Sequence, residues 1–184
     1  MSELPRVTDI LQAVGLGPDL EAVPADVLLS ARDRGTAVHQ AIEAMVYGYF
    51  DPSTFPPEYA GYLDGFRAFL KDSGYEAKYA EIEVRHEPWR YRGHPDNIGF
   101  MPAQRGPQRA LIDFKSGGAA GVDYQLAGYA LAWNHEHLTE PIHTALAVSL
   151  RRNGTYRVRE IDLGEAGPIW LAAVTVYHAQ RRKI

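Results

Sequence analysis

Apolar residues recur at helical spacing in four stretches of this chain. From residue 28 they recur at steps of three and four, which predicts an amphipathic helix that starts near Pro24 and ends at Asp51 and Pro52. The same period predicts three further helices, over residues 57–72, 122–136 and 168–182. Each of these helices has one apolar side, so each is expected to pack against another layer of structure.

Between the helices the pattern changes to strict alternation, which is typical of half-buried strands. Strands are predicted over residues 77–86, 91–100, 109–115, 142–151 and 155–162. Asn153 and Gly154 form the turn signal that joins the last two as a hairpin. The order of elements predicts one α/β domain over residues 1–184, in which helices flank a central mixed β-sheet.

The amino-acid composition and net charge limit the kinds of site and of protein that the sequence can represent. The 184 residues are 46% hydrophobic, which is enough for one sizeable core. The absence of cysteine excludes disulfides, thiolate zinc sites and cysteine-ligated iron–sulfur clusters. No leader pattern and no apolar run of about 18 residues is found, so a cytoplasmic protein without membrane contact is expected. A net charge of −4 means that phosphate binding would need local positive patches or metal ions.

Two aspartates and a lysine form the first candidate site. Asp113 and Lys115 are two positions apart on one strand and therefore share a face. If the strands before and after residues 101–108 pair as a hairpin, Asp96 lies beside Asp113, and two adjacent carboxylates favour a divalent cation. The alternative is an ordinary surface ion pair between Asp113 and Lys115, next to an aspartate in a turn.

Polar residues on neighbouring elements extend this candidate site. His39 lies on the flank of the first helix, where it is either a metal ligand or a hydrogen-bonded core residue. Gln125 and Tyr129 are four residues apart and share one face of the helix that follows Lys115. Glu81 precedes Asp96 by one strand and could reach the same cluster, but Glu83 shares its face, so alternation cannot choose between them.

These motifs, taken in order, resemble those of the PD-(D/E)XK nuclease superfamily. They are G-x-x-x-H at residues 35–39, an acid on a strand, G-x-x-D at residues 93–96, D-x-K at residues 113–115 and Q-x-x-x-Y at residues 125–129. The histidine and the Q-x-x-x-Y helix resemble the RecB-type exonuclease branch, here without an iron–sulfur cluster. The resemblance covers residues 34–130 and implies a restriction-endonuclease-like α/β core.

The resemblance also implies roles for individual residues. Asp96 and Asp113 would bind Mg²⁺, for which Mn²⁺ can substitute, and the Phe114 carbonyl, His39 and Glu81 would complete the ligands. Lys115 would hold or activate the attacking water, and Gln125 and Tyr129 would steady Lys115 or the scissile phosphate. The implied activity is a metal-dependent DNA exonuclease that acts from a free end, with a helicase or a single-strand-binding protein as candidate partner.

Two alternatives to an exonuclease stay open. One is a structure-specific endonuclease of the same fold, and the other is a non-catalytic nucleic-acid-binding subunit. The complete set of Asp96, Asp113 and Lys115 argues against the second, because a protein that only binds has no chemical need to gather these charges. The motifs do not distinguish single- from double-stranded substrates or 5′ from 3′ polarity.

Overall fold

The computed structural model describes residues 3–19, 21 and 23–182, which form five α-helices, seven strands and two short 3-10 helices, at Pro52–Thr54 and Pro57–Tyr59. The helices are α1 (Val7–Ala13), α2 (Ala25–Val46), α3 (Ala60–Ser73), α4 (Val122–Glu136) and α5 (Leu163–Arg181). The strands are β1 (Glu76–Ala80), β2 (Val84–His86), β3 (Tyr91–Gly93), β4 (Asn97–Met101), β5 (Gln108–Lys115), β6 (Thr144–Leu150) and β7 (Tyr156–Glu160).

The central sheet has the strand order β1-β4-β5-β6-β7. Its neighbours pair antiparallel except for β5 and β6, which run parallel because α4 carries the chain back between them. Strands β2 and β3 form a separate two-stranded sheet. The predicted α/β architecture with a mixed central sheet and flanking helices is therefore confirmed.

Alternation along β5 divides the core between the two faces of the sheet. Leu111 packs with α1, α4 and α5, while Ile112 and Phe114 pack with α2 and α3. Residues on a strand point to opposite faces in turn, so Asp113 and Lys115 share the face of Leu111. The site residues on β5 therefore lie on the α4 side of the sheet, and α2 approaches from the other side.

Two strands predicted as continuous are each broken. The strand predicted over residues 77–86 ends at Ala80 and resumes at Val84 in the small sheet, because Glu81 takes a left-handed backbone conformation with φ 51°. The strand predicted over residues 91–100 is interrupted between Gly93 and Asn97, where Pro95 has no N–H for a ladder hydrogen bond. Both breaks occur next to candidate ligands.

Three other predictions of local structure differ from what is observed. Helix α1 was not predicted, although Val7, Ile10 and Leu11 bury its apolar side. Helix α5 begins at Leu163 instead of residue 168, because the Asp162 carboxylate accepts hydrogen bonds from the Gly164 and Glu165 N–H groups. The long first helix ends at Val46, earlier than predicted. The predicted β6–β7 hairpin is confirmed.

Among the described residues, no helix combines the length and the apolar character that crossing a bilayer requires.

Candidate metal centre

Three side chains from separate elements meet at one end of the central sheet. They are His39 of α2, Glu81 just after β1 and Asp96 just before β4, and their ligand atoms all lie within 4.8 Å of one another. Nδ1 of His39 is 3.4 Å from Oε1 of Glu81 and 3.5 Å from Oδ1 of Asp96. Ligands of one octahedral Mg²⁺ at about 2.1 Å are about 3 Å apart at adjacent positions, so these separations suit a small divalent cation.

The pairing of β1 with β4 brings the two acids together. Ala80 lies opposite Asn97, so Glu81 and Asp96 are the next residues at the same end of the ladder. The Glu81 N–H donates to the Asp96 carbonyl over 3.3 Å. The left-handed conformation of Glu81 is unfavourable for a residue with a Cβ, and such strain persists only where neighbouring contacts hold it.

Tyr47 supplies contacts of this kind. It caps the C-terminus of α2, and its hydroxyl both donates to the Ala80 carbonyl over 3.0 Å and accepts from the Ala80 N–H over 3.1 Å. Ala80 directly precedes Glu81 on the edge strand β1. One side chain therefore ties the helix of His39 to the backbone of Glu81. Tyr47 was not among the predicted site residues, because nothing in a helix-end tyrosine indicates its partner on a distant strand.

We expect Tyr47→Phe to weaken Mn²⁺ binding roughly tenfold, the scale of lost outer contacts in metal sites. The ring would still pack, but the backbone before Glu81 would lose both hydrogen bonds. Isothermal titration with Mn²⁺ measures the effect, and Tyr49→Phe is the control because Tyr49 is exposed. If Tyr47→Phe lowers the melting temperature and leaves Mn²⁺ affinity unchanged, Tyr47 supports only the fold.

Asp113 and Lys115 lie beside this cluster. Asn97 pairs with Ile112 in the β4–β5 ladder, which places Asp96 next to Asp113. Nζ of Lys115 is 2.9 Å from Oδ1 of Asp113, and the Phe114 N–H donates to Oδ2 of Asp96 over 2.7 Å. Oδ2 of Asp113 is buried and has no hydrogen-bond partner among the described residues. A buried carboxylate oxygen without a partner is costly, and a cation at this end of the sheet would satisfy it.

Burial and mutual repulsion control the charges of the site. Burial raises the pKa of Asp113, and the charge of Asp96 adds to the rise, although Lys115 opposes it. Burial alone would lower the pKa of Lys115, but the charges of Asp113 and Asp96 outweigh burial and leave it above its ordinary value. Lys115 is therefore protonated at neutral pH. The arrangement holds more negative charge than one ammonium group can balance, which again favours a cation.

His39 is oriented by the backbone of β5. Its Nε2 lies 2.7 Å from the Phe114 carbonyl, which accepts the hydrogen bond when Nε2 carries the proton. In the neutral tautomer that carries its proton on Nε2, Nδ1 has a free lone pair, which faces Glu81 and Asp96. The ring is thus both hydrogen-bonded to the core and part of the cluster, and an imidazole nitrogen with two carboxylates is a donor set that fits Mn²⁺ or Mg²⁺.

We expect the metal-free protein to lose stability as the pH rises from 6.5 to about 9, while its affinity for Mn²⁺ increases. The charge of Asp96 raises the pKa of His39 to about 9, against burial and with help from Glu81. Because the pKa of His39 is higher in the folded than in the unfolded protein, the protonated ring adds to the free energy of unfolding. This contribution is complete below pH 6.5 and is lost as the pH rises to about 9. A cation must displace this proton, so binding strengthens over the same range.

Urea melts and Mn²⁺ titrations across this pH range measure both trends. His39→Ala should weaken Mn²⁺ binding and remove the His39 contribution to the pH dependence of stability, and above about pH 9, where the ring is neutral, it should change stability little. If the variant instead binds Mn²⁺ normally and still loses roughly 1 to 3 kcal/mol of stability above about pH 9, His39 is a packing residue.

Gln125 and Tyr129 lie on α4 and contact each other. Nε2 of Gln125 donates to the Tyr129 hydroxyl over 3.1 Å, and neither side chain has a hydrogen bond to Lys115 among the described residues. Burial raises the pKa of Tyr129, which keeps its phenol neutral. A Cβ at Gly93 would lie 2.2 Å from the Tyr129 ring, so the close approach of this ring requires the glycine of G-x-x-D.

The structure separates Glu81 from Glu83, the two acids that alternation could not distinguish. Glu83 accepts a hydrogen bond from Nη1 of Arg92 over 2.7 Å and also pairs with Arg85. The hydrogen bond from Arg92 is the main reason why the pKa of Glu83 is lowered. Glu83 is therefore held by arginines of the β2–β3 sheet, and Glu81 is the acid that lies beside His39.

A cleft of about 580 Å³ opens beside the cluster. His39 and Glu81 line it together with Gly35, Glu43 and His94. Glu43 and His94 were not among the predicted site residues. Glu43 lies one helical turn after His39, a spacing that places both residues on one side of α2 and could have drawn attention to it. Among the described residues, a Cβ at Gly35 would have a single neighbour within 4 Å, Oγ of Ser116 at 3.9 Å, so packing against these residues does not require a glycine there.

Comparison with known proteins supports the fold and leaves the family open. No protein-family model and no curated protein sequence matches the chain. Among solved structures, the chain is similar to a protein of Eubacterium rectale that is provisionally named an exonuclease, with a TM-score of 0.54 and 11% sequence identity. The match covers 94% of this chain and 71% of the other. At this identity the likeness shows a shared fold, and that fold agrees with the predicted restriction-endonuclease-like core.

Proposed function

We propose that this protein is a metal-dependent DNA exonuclease of the RecB-type branch of the PD-(D/E)XK nucleases. The observation that carries the proposal is the meeting of His39, Glu81 and Asp96 beside the buried Asp113–Lys115 pair. Burial and the neighbouring charge of Asp96 raise the pKa of Asp113, and a protein that only binds nucleic acid has no need for carboxylates placed in this way. Phosphodiester hydrolysis does need them, because it requires a polarised phosphorus and an activated water.

His39, Glu81 and Asp96 would hold a Mg²⁺ or Mn²⁺ ion, and Oδ2 of Asp113, which has no hydrogen-bond partner in the described part of the chain, would add to the negative charge that attracts it. The Phe114 carbonyl, predicted as a further ligand, accepts the hydrogen bond that orients His39. A divalent cation bound there supplies Lewis-acid polarisation of a phosphate oxygen and lowers the pKa of water.

Lys115 would stabilise charge at the reacting phosphate. Its raised pKa keeps it protonated, so it can donate a hydrogen bond to a water or a phosphate oxygen but cannot accept a proton. Asp113 holds its ammonium group in place through the 2.9 Å contact. Because Gln125 bonds to the Tyr129 hydroxyl, the pair would act on the site through the Tyr129 ring, which lies against Gly93, three residues before Asp96.

The cleft beside His39 supports a polymeric substrate. Glycine at residue 35 leaves the surface of α2 without a side chain next to His39 and Glu81, where a sugar-phosphate backbone could approach closely. Acidic Glu43 also lines this cleft and would repel phosphate unless a cation lies between them. An exonuclease needs DNA with a free end, so a helicase or a single-strand-binding protein is the partner that we propose.

A time course on linear and circular DNA tests the proposal. Single- and double-stranded substrates labelled at either end are incubated with Mg²⁺, and matched substrates with blocked ends serve as controls. An exonuclease releases mononucleotides or short products from one open end and leaves circles intact. Cleavage of circles would indicate the structure-specific endonuclease, and binding without cleavage would indicate a non-catalytic subunit. The Asp113→Asn protein, purified in parallel, controls for a contaminating nuclease.

A further inference from the structure

A second cleft, of about 910 Å³, has no lining residue in common with the cleft at the candidate metal centre. One wall is the turn between β2 and β3, with Pro88, Trp89 and Arg90, and the other is the last turns of α5, with His178, Arg181 and Arg182. The cleft thus combines a tryptophan, a proline and three arginines. Such a mixture of aromatic surface and guanidinium groups is typical of surfaces that bind nucleic acid strands.

The turn is held in one conformation against α5. The Arg90 N–H donates to the Glu87 carbonyl over 3.1 Å, and the Trp89 N–H donates to Nδ1 of His86 over 3.3 Å. Nε2 of His178 lies 3.0 Å from the Trp89 carbonyl and bonds the turn to the helix. Arg90 has a left-handed backbone with φ 53°, an unfavourable conformation for arginine. These contacts present the Trp89 indole to the cleft with 38% of the residue exposed.

Five arginines elsewhere in the described part of the chain are paired with carboxylates, whereas the three arginines of this cleft are not. Arg67, Arg85, Arg92, Arg109 and Arg159 each lie within ion-pair distance of a carboxylate. Among the described residues, no carboxylate comes that close to Arg90, Arg181 or Arg182, and the Arg181 guanidinium lies 3.8 Å from the centre of the Tyr177 ring. In a chain with a net charge of −4, this is a local positive surface that can receive phosphates.

We propose that this cleft binds single-stranded DNA, with a base stacked on Trp89 and phosphates on Arg90, Arg181 and Arg182. The inference rests on the proposed nuclease function, and it identifies the surface that the DNA strand contacts outside the metal centre. A single strand fits better than a duplex, because a base must be unstacked before its face can lie on an indole. The exposed indole and the unopposed arginines together favour a strand over an acidic peptide, which would need only the charges.

Chain connectivity keeps the cleft within reach of the metal centre. The β2–β3 hairpin is the segment between Glu81 and Asp96, and Trp89 precedes Asp96 by seven residues. Seven extended residues span at most about 25 Å, so a short strand could contact both places at once. The hairpin would then serve to hold DNA at a set distance from the reacting phosphate.

Tryptophan fluorescence tests the stacking directly. Of the three tryptophans, Trp133 and Trp170 are 2% and 0% exposed, so Trp89 is the one that a ligand can reach. Oligothymidylate should quench the fluorescence of the Asp113→Asn protein, which we expect to bind DNA and to cleave it too slowly to matter during the titration, and Trp89→Phe in that background should remove the quenching. Trp89→Ala should weaken single-strand binding about tenfold, the loss expected for one stacked base, while Trp89→Phe retains most of the affinity.

The salt dependence of binding tests the arginines. Each phosphate contact with a single strand contributes about 0.7 to the slope of log affinity against log salt, so the double change Arg90→Ala and Arg182→Ala should reduce the slope by about 1.4. The double change Lys71→Ala and Arg105→Ala, at exposed positions on α3 and in the turn before β5, is the control with the same charge change.

The two proposals can fail separately. Wild-type affinity, slope and fluorescence in these variants would overturn the cleft proposal even if the wild-type protein cleaves DNA, and would leave an acidic protein partner as the alternative occupant. Quenching and weakened binding without any cleavage by the wild-type protein would instead overturn the nuclease proposal.

Discussion

Asp113→Asn and Lys115→Ala should each lower the rate of DNA cleavage by at least about 100-fold, the scale of losing an electrostatic or water-orienting group. Asp113→Asn removes charge beside Asp96 and frees Lys115 from its 2.9 Å contact. Lys115→Ala removes the ammonium group that, in the proposed mechanism, would face the reacting phosphate. Single-turnover rates at saturating Mg²⁺ measure the chemical step apart from product release.

The two variants should differ in stability. The Asp113 carboxylate is only 1% exposed, and burial raises its pKa, so an amide there should leave the melting temperature unchanged or raise it. Lys115→Ala leaves that buried carboxylate without its cation and should lower the melting temperature. Asp64→Asn and Lys71→Ala, on the surface of α3, are the matched controls. Cleavage near the wild-type rate in either site variant would mean that Asp113 and Lys115 form only a structural ion pair.

Removal of divalent cations should abolish cleavage, and Mg²⁺ or Mn²⁺ should restore it. The candidate ligands are carboxylate oxygens and one imidazole, a set for which Mn²⁺ should have the higher affinity. Ca²⁺ should bind and inhibit, because its longer bonds and irregular coordination do not hold substrate in the same geometry. Assays with EDTA followed by titration of each metal measure these effects, and full activity in EDTA would exclude the metal mechanism.

Cation binding should also be visible without substrate. A cation that binds only the folded state raises the melting temperature, by an amount that grows with its concentration over the dissociation constant. We expect Mn²⁺ to stabilise the wild-type protein and to have little effect on a Glu81→Gln, Asp96→Asn variant, which keeps the shapes of both side chains without their charges. Equal stabilisation of both proteins would place the cation elsewhere.

Local pattern and residue chemistry were enough to predict the class of fold and most of the candidate site. Helical and alternating periods identify α2, α4, β5 and the β6–β7 hairpin, because each period reports which side of an element is buried. The period of two also places Asp113 and Lys115 on one face, which the structure shows. The proximity of Asp96 to Asp113 follows from the hairpin of β4 and β5, whose short connection permits few alternatives.

The contacts between distant elements that build the site depend on the tertiary structure, and hydrophobic periodicity does not predict them. Alternation continues through Glu81, Ile82 and Glu83, although the chain leaves one sheet and enters another there, and only the pairing of β1 with β4 places Glu81 beside His39. The bonds of Tyr47 to Ala80 and the position of Trp89 against α5 join residues that are distant along the chain. Periodicity reports burial along one element, whereas a site depends on which elements pack together, and that is determined by the balance of packing over the whole core.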